Sequence, residues 1–90
     1  MEILYSDKFK KKYIRVSKPV RAAVKLRIAI FERQPFHPLL HNHLLVGMYA
    51  GHRSINITGD WRAVYRDSKN SFGDRIIIFV ALGTHSQLYR

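Results

Sequence analysis

Ninety residues, 47% hydrophobic and 24% charged, suffice for one domain spanning 1–90 but not for a second lobe or a large enclosed cofactor site, so any site must lie on the surface or in a shallow cleft. With no cysteine in the chain, disulfides, thiol nucleophiles and thiolate metal sites are excluded together, and no run approaches the roughly 20 apolar residues of a membrane span. Sixteen Lys and Arg against six Asp and Glu give a net charge of +10, which makes a polyanion or an acidic protein the expected partner, with solubility alone as the plainer reading.

The opening MEILYSDKF lacks the basic-then-apolar order of a signal peptide, so a cytoplasmic location without membrane contact is expected. Within it, EILYS reads as a first strand, and Ser6 or Asp7 is placed to cap a following helix. In KFKKKYIRV, Phe9, Tyr13 and Val16 recur at helical spacing while Lys8, Lys11, Lys12 and Arg15 turn away. Pro19 suits the first turn of a second helix, whose stripe Val20, Val24, Ile28 and Phe31 faces a core. Residues 8–33 hold ten basic side chains against the single acid Glu32, so the basic face is N-terminal. From Gln34 to Tyr49 two prolines, three histidines and Gly47 break any period, which reads as a loop with a short strand or turn near Leu44 and Leu45. RSINIT then alternates as a half-buried strand, Gly59 and Asp60 turn the chain, and WRAVYRD alternates again. After the polar loop SKNSFGD, the run RIIIFVAL reads as a strand buried on both faces. The order β-α-α-β-β-β predicts an α+β fold. Both N-terminal helices would pack on one face of a mainly antiparallel four-stranded sheet, leaving the other face bare for function. No internal repeat or low-complexity tract interrupts this order.

Three pieces of the second half, HLLVG, GHRSINITGDWRAVY and ALGTHSQLY, resemble the RelE/ParE superfamily of bacterial toxins, and most closely its YafQ-like branch. The resemblance covers the whole chain in element order and is specific over residues 43–89. It implies a RelE-like toxin domain acting as a ribosome-dependent endoribonuclease on mRNA, held inactive by a cognate antitoxin. Residue by residue, it assigns His43 to the functional histidine ahead of Leu-x-Gly, Asp60 to the strand-opening aspartate, and His85 and Tyr89 to the C-terminal histidine and aromatic. Arg62 matches the arginine at the strand start of RelE-like members. One departure stands out: the YafQ-like pattern has a further histidine where this chain has Asn56, which cannot relay a proton at neutral pH.

The residue types also argue for themselves. Cleaving RNA through its own 2′-OH needs a base for that proton, an acid for the departing 5′-oxygen and positive charge at the phosphate. Histidine serves as base or acid near neutrality, the arginine fork matches phosphate oxygens, and Tyr89 can stack on a base or donate a hydrogen bond. No metal or cofactor is required; His37, His41 and His43 lack acidic or thiol companions and make a weak metal motif. Lys8, Lys11, Lys12, Arg15, Arg53 and Arg66 are candidate contacts to mRNA or ribosomal RNA. Plainer readings stand beside these: Asp60 as a turn residue, His85 as a strand end, Trp61 as packing, and the lysine run as a solvated helix face. Two rival functions also fit, namely a ParE-like DNA gyrase inhibitor acting by binding and a basic RNA-binding protein without catalysis.

Overall fold

The computed structural model describes residues 1–89. Strand β1 (Glu2–Tyr5) leads into helix α1 (Asp7–Arg15) and helix α2 (Lys18–Arg33), followed by β2 (His43–Leu44), β3 (Arg53–Asn56), β4 (Trp61–Lys69), β5 (Arg75–Thr84) and a short α3 (His85–Leu88). Both long helices start where the sequence supplies a cap. The Ser6 hydroxyl accepts from the Phe9 amide at 3.1 Å and Ser17 from Val20 at 3.4 Å, each satisfying an amide the first turn leaves open. Ser6 also donates to the Val80 carbonyl, pinning the start of α1 to β5.

The sheet runs β1-β5-β4-β3-β2, with β1 parallel to β5 and every other pairing antiparallel. It therefore has five strands rather than four. The extra one is β2, a two-residue edge that becomes a strand only because His43 and Leu44 find partners in Ser54 and Arg53. The same stretch holds single 3-10 turns at Pro38–Leu40 and Gly47–Tyr49. Leu40 ties the first of them into the core with no exposed surface.

Both helices lie on one sheet face. Phe9, Val16, Val24, Ile28 and Phe31 meet Ile55, Ile57, Ala63, Tyr65, Ile77, Phe79 and Leu82 in the main core. Aromatic edges contact one another there, Phe31 against Tyr65 at 5.0 Å and against Phe79 at 5.5 Å between ring centroids. The Tyr65 hydroxyl reaches Asn42 at 2.8 Å, and burial raises its phenol above the ordinary range, so it stays neutral near pH 7.

The opposite face is not bare, contrary to what the order of elements suggests. Leu45, Val64, Ala81 and Leu88 form a second buried cluster there, with Tyr49, Val80 and Tyr89 at its edge. A β-bulge makes this possible. Val64 pairs with Ala81 but Tyr65 with Phe79, so Val80 is the extra residue on β5. Before the bulge Ile77 and Phe79 face the helices; after it Leu82 does, and Ala81 passes to the other side. RIIIFVAL thus feeds two cores, one on each face, and α3 folds back over the second.

Candidate active site

On the face away from α1 and α2 lies a groove of about 550 Å³, lined by His41, His43, Asn56, Arg62, His85 and Tyr89 with an apolar rim from Leu44 to Val46. These side chains come from four stretches of chain, and the sheet register explains the meeting. Asn56 pairs with Arg62, Arg62 with Gly83, and His43 with Ser54, so β2 to β5 present neighbouring positions on one face.

Arg62 is held by the turn that precedes it. Nη1 donates to the carbonyls of Thr58 at 2.9 Å and Trp61 at 3.0 Å, and Nη2 to Gly59 at 3.1 Å. A guanidinium has five N–H groups; those three bonds leave Nε–H and one Nη2–H without a protein partner among the described residues. The fork is fixed in place but retains donors for an anion. The turn itself is braced by Thr58, whose hydroxyl accepts from the amides of Asp60 and Trp61.

His43 sits at the sheet edge with its ring Nδ1 2.9 Å from the His41 carbonyl. A carbonyl only accepts, so Nδ1 carries the proton, and in the neutral ring Nε2 is left as the basic nitrogen. His41 itself adopts the left-handed region at φ 46° and brings its ring within 5.5 Å of His43. Across the groove, His85 opens α3. A reciprocal cap forms the helix: the Thr84 hydroxyl accepts from the Gln87 amide at 3.3 Å, and the Gln87 side chain accepts from the Thr84 amide at 3.0 Å. The exposed His85 ring stands edge-on to Tyr89 at 4.9 Å, and the Tyr89 hydroxyl donates to Ser54 at 2.7 Å. Asn56 also lines the groove, and its buried Oδ1 has no partner among the described residues, an uncommon and costly arrangement.

Other residues singled out by the sequence lie elsewhere. The Asp60 side chain is exposed at the turn and does not line the groove. Its backbone is what connects it to the site, since its carbonyl accepts the His85 amide at 3.0 Å. Trp61 is only partly buried against the main core, with the Lys12 ammonium 5.7 Å from its ring. Lys8 reaches the Tyr49 hydroxyl at 3.4 Å, so the basic row of α1 borders the open face. Lys11 and Arg15 are exposed on the same helix, and Arg66 is exposed further along β4. Arg53 points to a different neighbourhood: Nε donates to Asn42 at 2.8 Å and the guanidinium lies over Phe36 at 5.1 Å. That network braces the loop rather than the groove. His37 caps the Pro38–Leu40 turn through Nδ1, and no three His, Asp or Glu side chains among the described residues gather as metal ligands. Ser54 and, as a groove residue, His41 escaped the sequence reading. Ser54 looked like one more polar position on an alternating strand, and nothing local to RSINIT signals a tyrosine 35 residues away.

The family model described as the bacterial toxin of type II toxin-antitoxin system, YafQ, matches residues 1–90. No curated protein sequence matches the chain. Among solved structures, the YoeB/ParE toxin from Agrobacterium tumefaciens is 24% identical over 94% of this chain and 99% of that one, with a TM-score of 0.74. YafQ from E. coli is 20% identical over 99% of this chain and 98% of that one, at a TM-score of 0.75. The E. coli DinJ-YafQ complex contains a chain 22% identical over 99% of this chain and 98% of its own, at 0.68. At such identities the structural likeness speaks for the fold, while the family match spans every residue; the chain belongs to the YafQ family of bacterial toxins of type II toxin–antitoxin systems.

Proposed function

We propose that the chain is a single-domain endoribonuclease toxin that acts in the cytoplasm, cutting mRNA on the ribosome by metal-independent acid and base catalysis. The observation that carries this reading is the meeting of two histidines and a braced arginine in one open groove. His43, with Nδ1 committed to a carbonyl, offers Nε2 as the base that takes the 2′-OH proton. The 2′-oxygen attacks the adjacent phosphorus, a 2′,3′-cyclic phosphate forms, and the 5′-oxygen leaves with a proton from His85. Arg62 supplies its two uncommitted N–H groups to the phosphate as charge develops. Asn56, neutral at all working pH values, adds a carboxamide for the sugar or phosphate, and the Asp60 carbonyl fixes the backbone of His85.

The basic row of α1, including Lys8, Lys11, Lys12 and Arg15, provides the docking charge for ribosomal RNA. A cognate antitoxin is the proposed inhibitor. Between α1 and α2 an apolar groove of about 590 Å³, flanked by Lys10 and Lys25, suits a segment with apolar and acidic side chains.

Expression in bacteria with mapping of RNA ends tests the reading. Growth arrest with codon-phased mRNA cuts is expected, and His85→Ala should reduce cutting by about 10²- to 10⁴-fold, the range for loss of one acid–base group, while the melting temperature holds. Growth arrest with DNA breaks and intact mRNA would establish gyrase poisoning instead. A harmless wild-type chain would leave a non-catalytic RNA-binding protein.

A further inference from the structure

Ser54 is the one buried polar residue of the described chain, 0% exposed, in the middle of β3 between His43 on β2 and Val64 on β4. A serine there would ordinarily be a poor choice, since a valine would extend the Leu45, Val64, Ala81 and Leu88 cluster beside it. Its hydroxyl has one visible use, the 2.7 Å bond from Tyr89, a short and well-formed O–H···O contact that joins β3 to the C-terminal segment. Tyr89 in turn stands at the end of α3, its amide donating to the His85 carbonyl at 3.0 Å and its ring 4.9 Å from the His85 ring at 73°. The His85 imidazole makes no hydrogen bond to any described residue, and the Tyr89 ring stands edge-on against it.

We propose that Ser54 is a positioning residue: it holds the Tyr89 hydroxyl so that the Tyr89 ring fixes the His85 imidazole over the groove. This rests on the nuclease reading above and gives Tyr89 a role within it. A phenol whose proton is already given to Ser54 is not the group that protonates the leaving oxygen. Its ring and its anchor do the work, and both hydroxyls form a single device. Losing either one frees the tail of the chain to swing and costs rate through misplacement of the imidazole rather than through loss of a proton donor.

Cleavage of mRNA on programmed ribosomes by wild type, Ser54→Ala, Tyr89→Phe and the double variant tests this. Each single change is expected to lower kcat by about tenfold to a hundredfold, the scale of an ångström-sized misplacement, with KM and the shape of the pH–rate profile unchanged. The double variant should be no worse than either single one, as for two halves of one hydrogen bond. In NMR spectra of the intact protein, the His85 ring signals should move toward those of a free histidine in both single variants, a readout that does not depend on activity. Ser54→Ala cutting like wild type, or a large loss confined to Tyr89→Phe, overturns the proposal and in the second case gives the Tyr89 hydroxyl a direct part in the reaction. A wild-type chain that cuts nothing removes the nuclease reading and this role with it, which separates the two failures.

Discussion

Three of the five N–H groups of Arg62 grip the Thr58–Trp61 turn, so this side chain is both a brace and a phosphate ligand. Lysine cannot reproduce that arrangement, because a point charge on a flexible stem lacks the planar fork. Arg62→Lys is therefore expected to lose about 10²- to 10³-fold in single-turnover cutting, the scale of one missing transition-state donor. It should also lose about 1 to 2 kcal/mol of stability from the unpaired carbonyls, measured by urea denaturation. Equal cutting by the lysine variant would place the phosphate elsewhere. The arginine was legible from the sequence as a strand-start cation next to a turn, and its pointing away from Trp61 followed from alternation alone. The exposed carboxylate of Asp60 was not legible. An acid after Gly59 reads first as a turn residue and takes a catalytic role only from the family resemblance, and the direction of its side chain is not written in that local pattern.

At the scale of elements, α3 depends on what lies beneath it. Gly83 faces that helix, and a Cβ there would meet Gln87 Oε1 and Leu88 Cγ, both at 3.1 Å. Gln87 completes the cap of α3 and Leu88 seats it in the second cluster, so the side chains that would have to give by a few tenths of an ångström are the ones that hold the helix. Gly83→Ala is expected to displace α3 and with it His85, lowering cutting by about tenfold or more and stability by about 1 to 3 kcal/mol, the usual cost of overpacking. A variant with wild-type cutting and melting temperature would show that α3 has room to shift. In the sequence, Gly-Thr-His suggested a strand end with chemistry after it. It could not show why the glycine is needed, since the colliding atoms belong to a helix of only four residues, too short to give a periodic signal.

The whole molecule separates its charge from its chemistry. Lys8 of α1 reaches Tyr49 at the edge of the second cluster, which places the basic helix at the rim of the face that holds the groove. Changing Lys8, Lys11, Lys12 and Arg15 together to Gln is expected to weaken ribosome binding at low salt. It should also flatten the slope of log affinity against log salt by up to about 3.6, since each phosphate left without its cation removes about 0.7 to 0.9 from that slope. Circular dichroism should be unchanged, because these side chains lie outside both cores. An unaltered salt slope would move the docking surface away from α1.

What the sequence by itself determined is what repeats or stops locally: the helical spacing and serine caps of α1 and α2, the alternation of β3 and β4, the turn at Gly59 and Asp60, and the lopsided charge. Each of these is set by neighbours within a few residues, through backbone geometry and the burial of one face. The tertiary structure alone decided the rest. Val80 as the extra residue of the bulge, β2 as a fifth strand, the second cluster on the supposedly bare face, and Ser54 under Tyr89 are all outcomes of register between distant segments. Register depends on which long-range pairing buries the most surface with every polar group satisfied, and a local pattern of side chains carries no record of that competition.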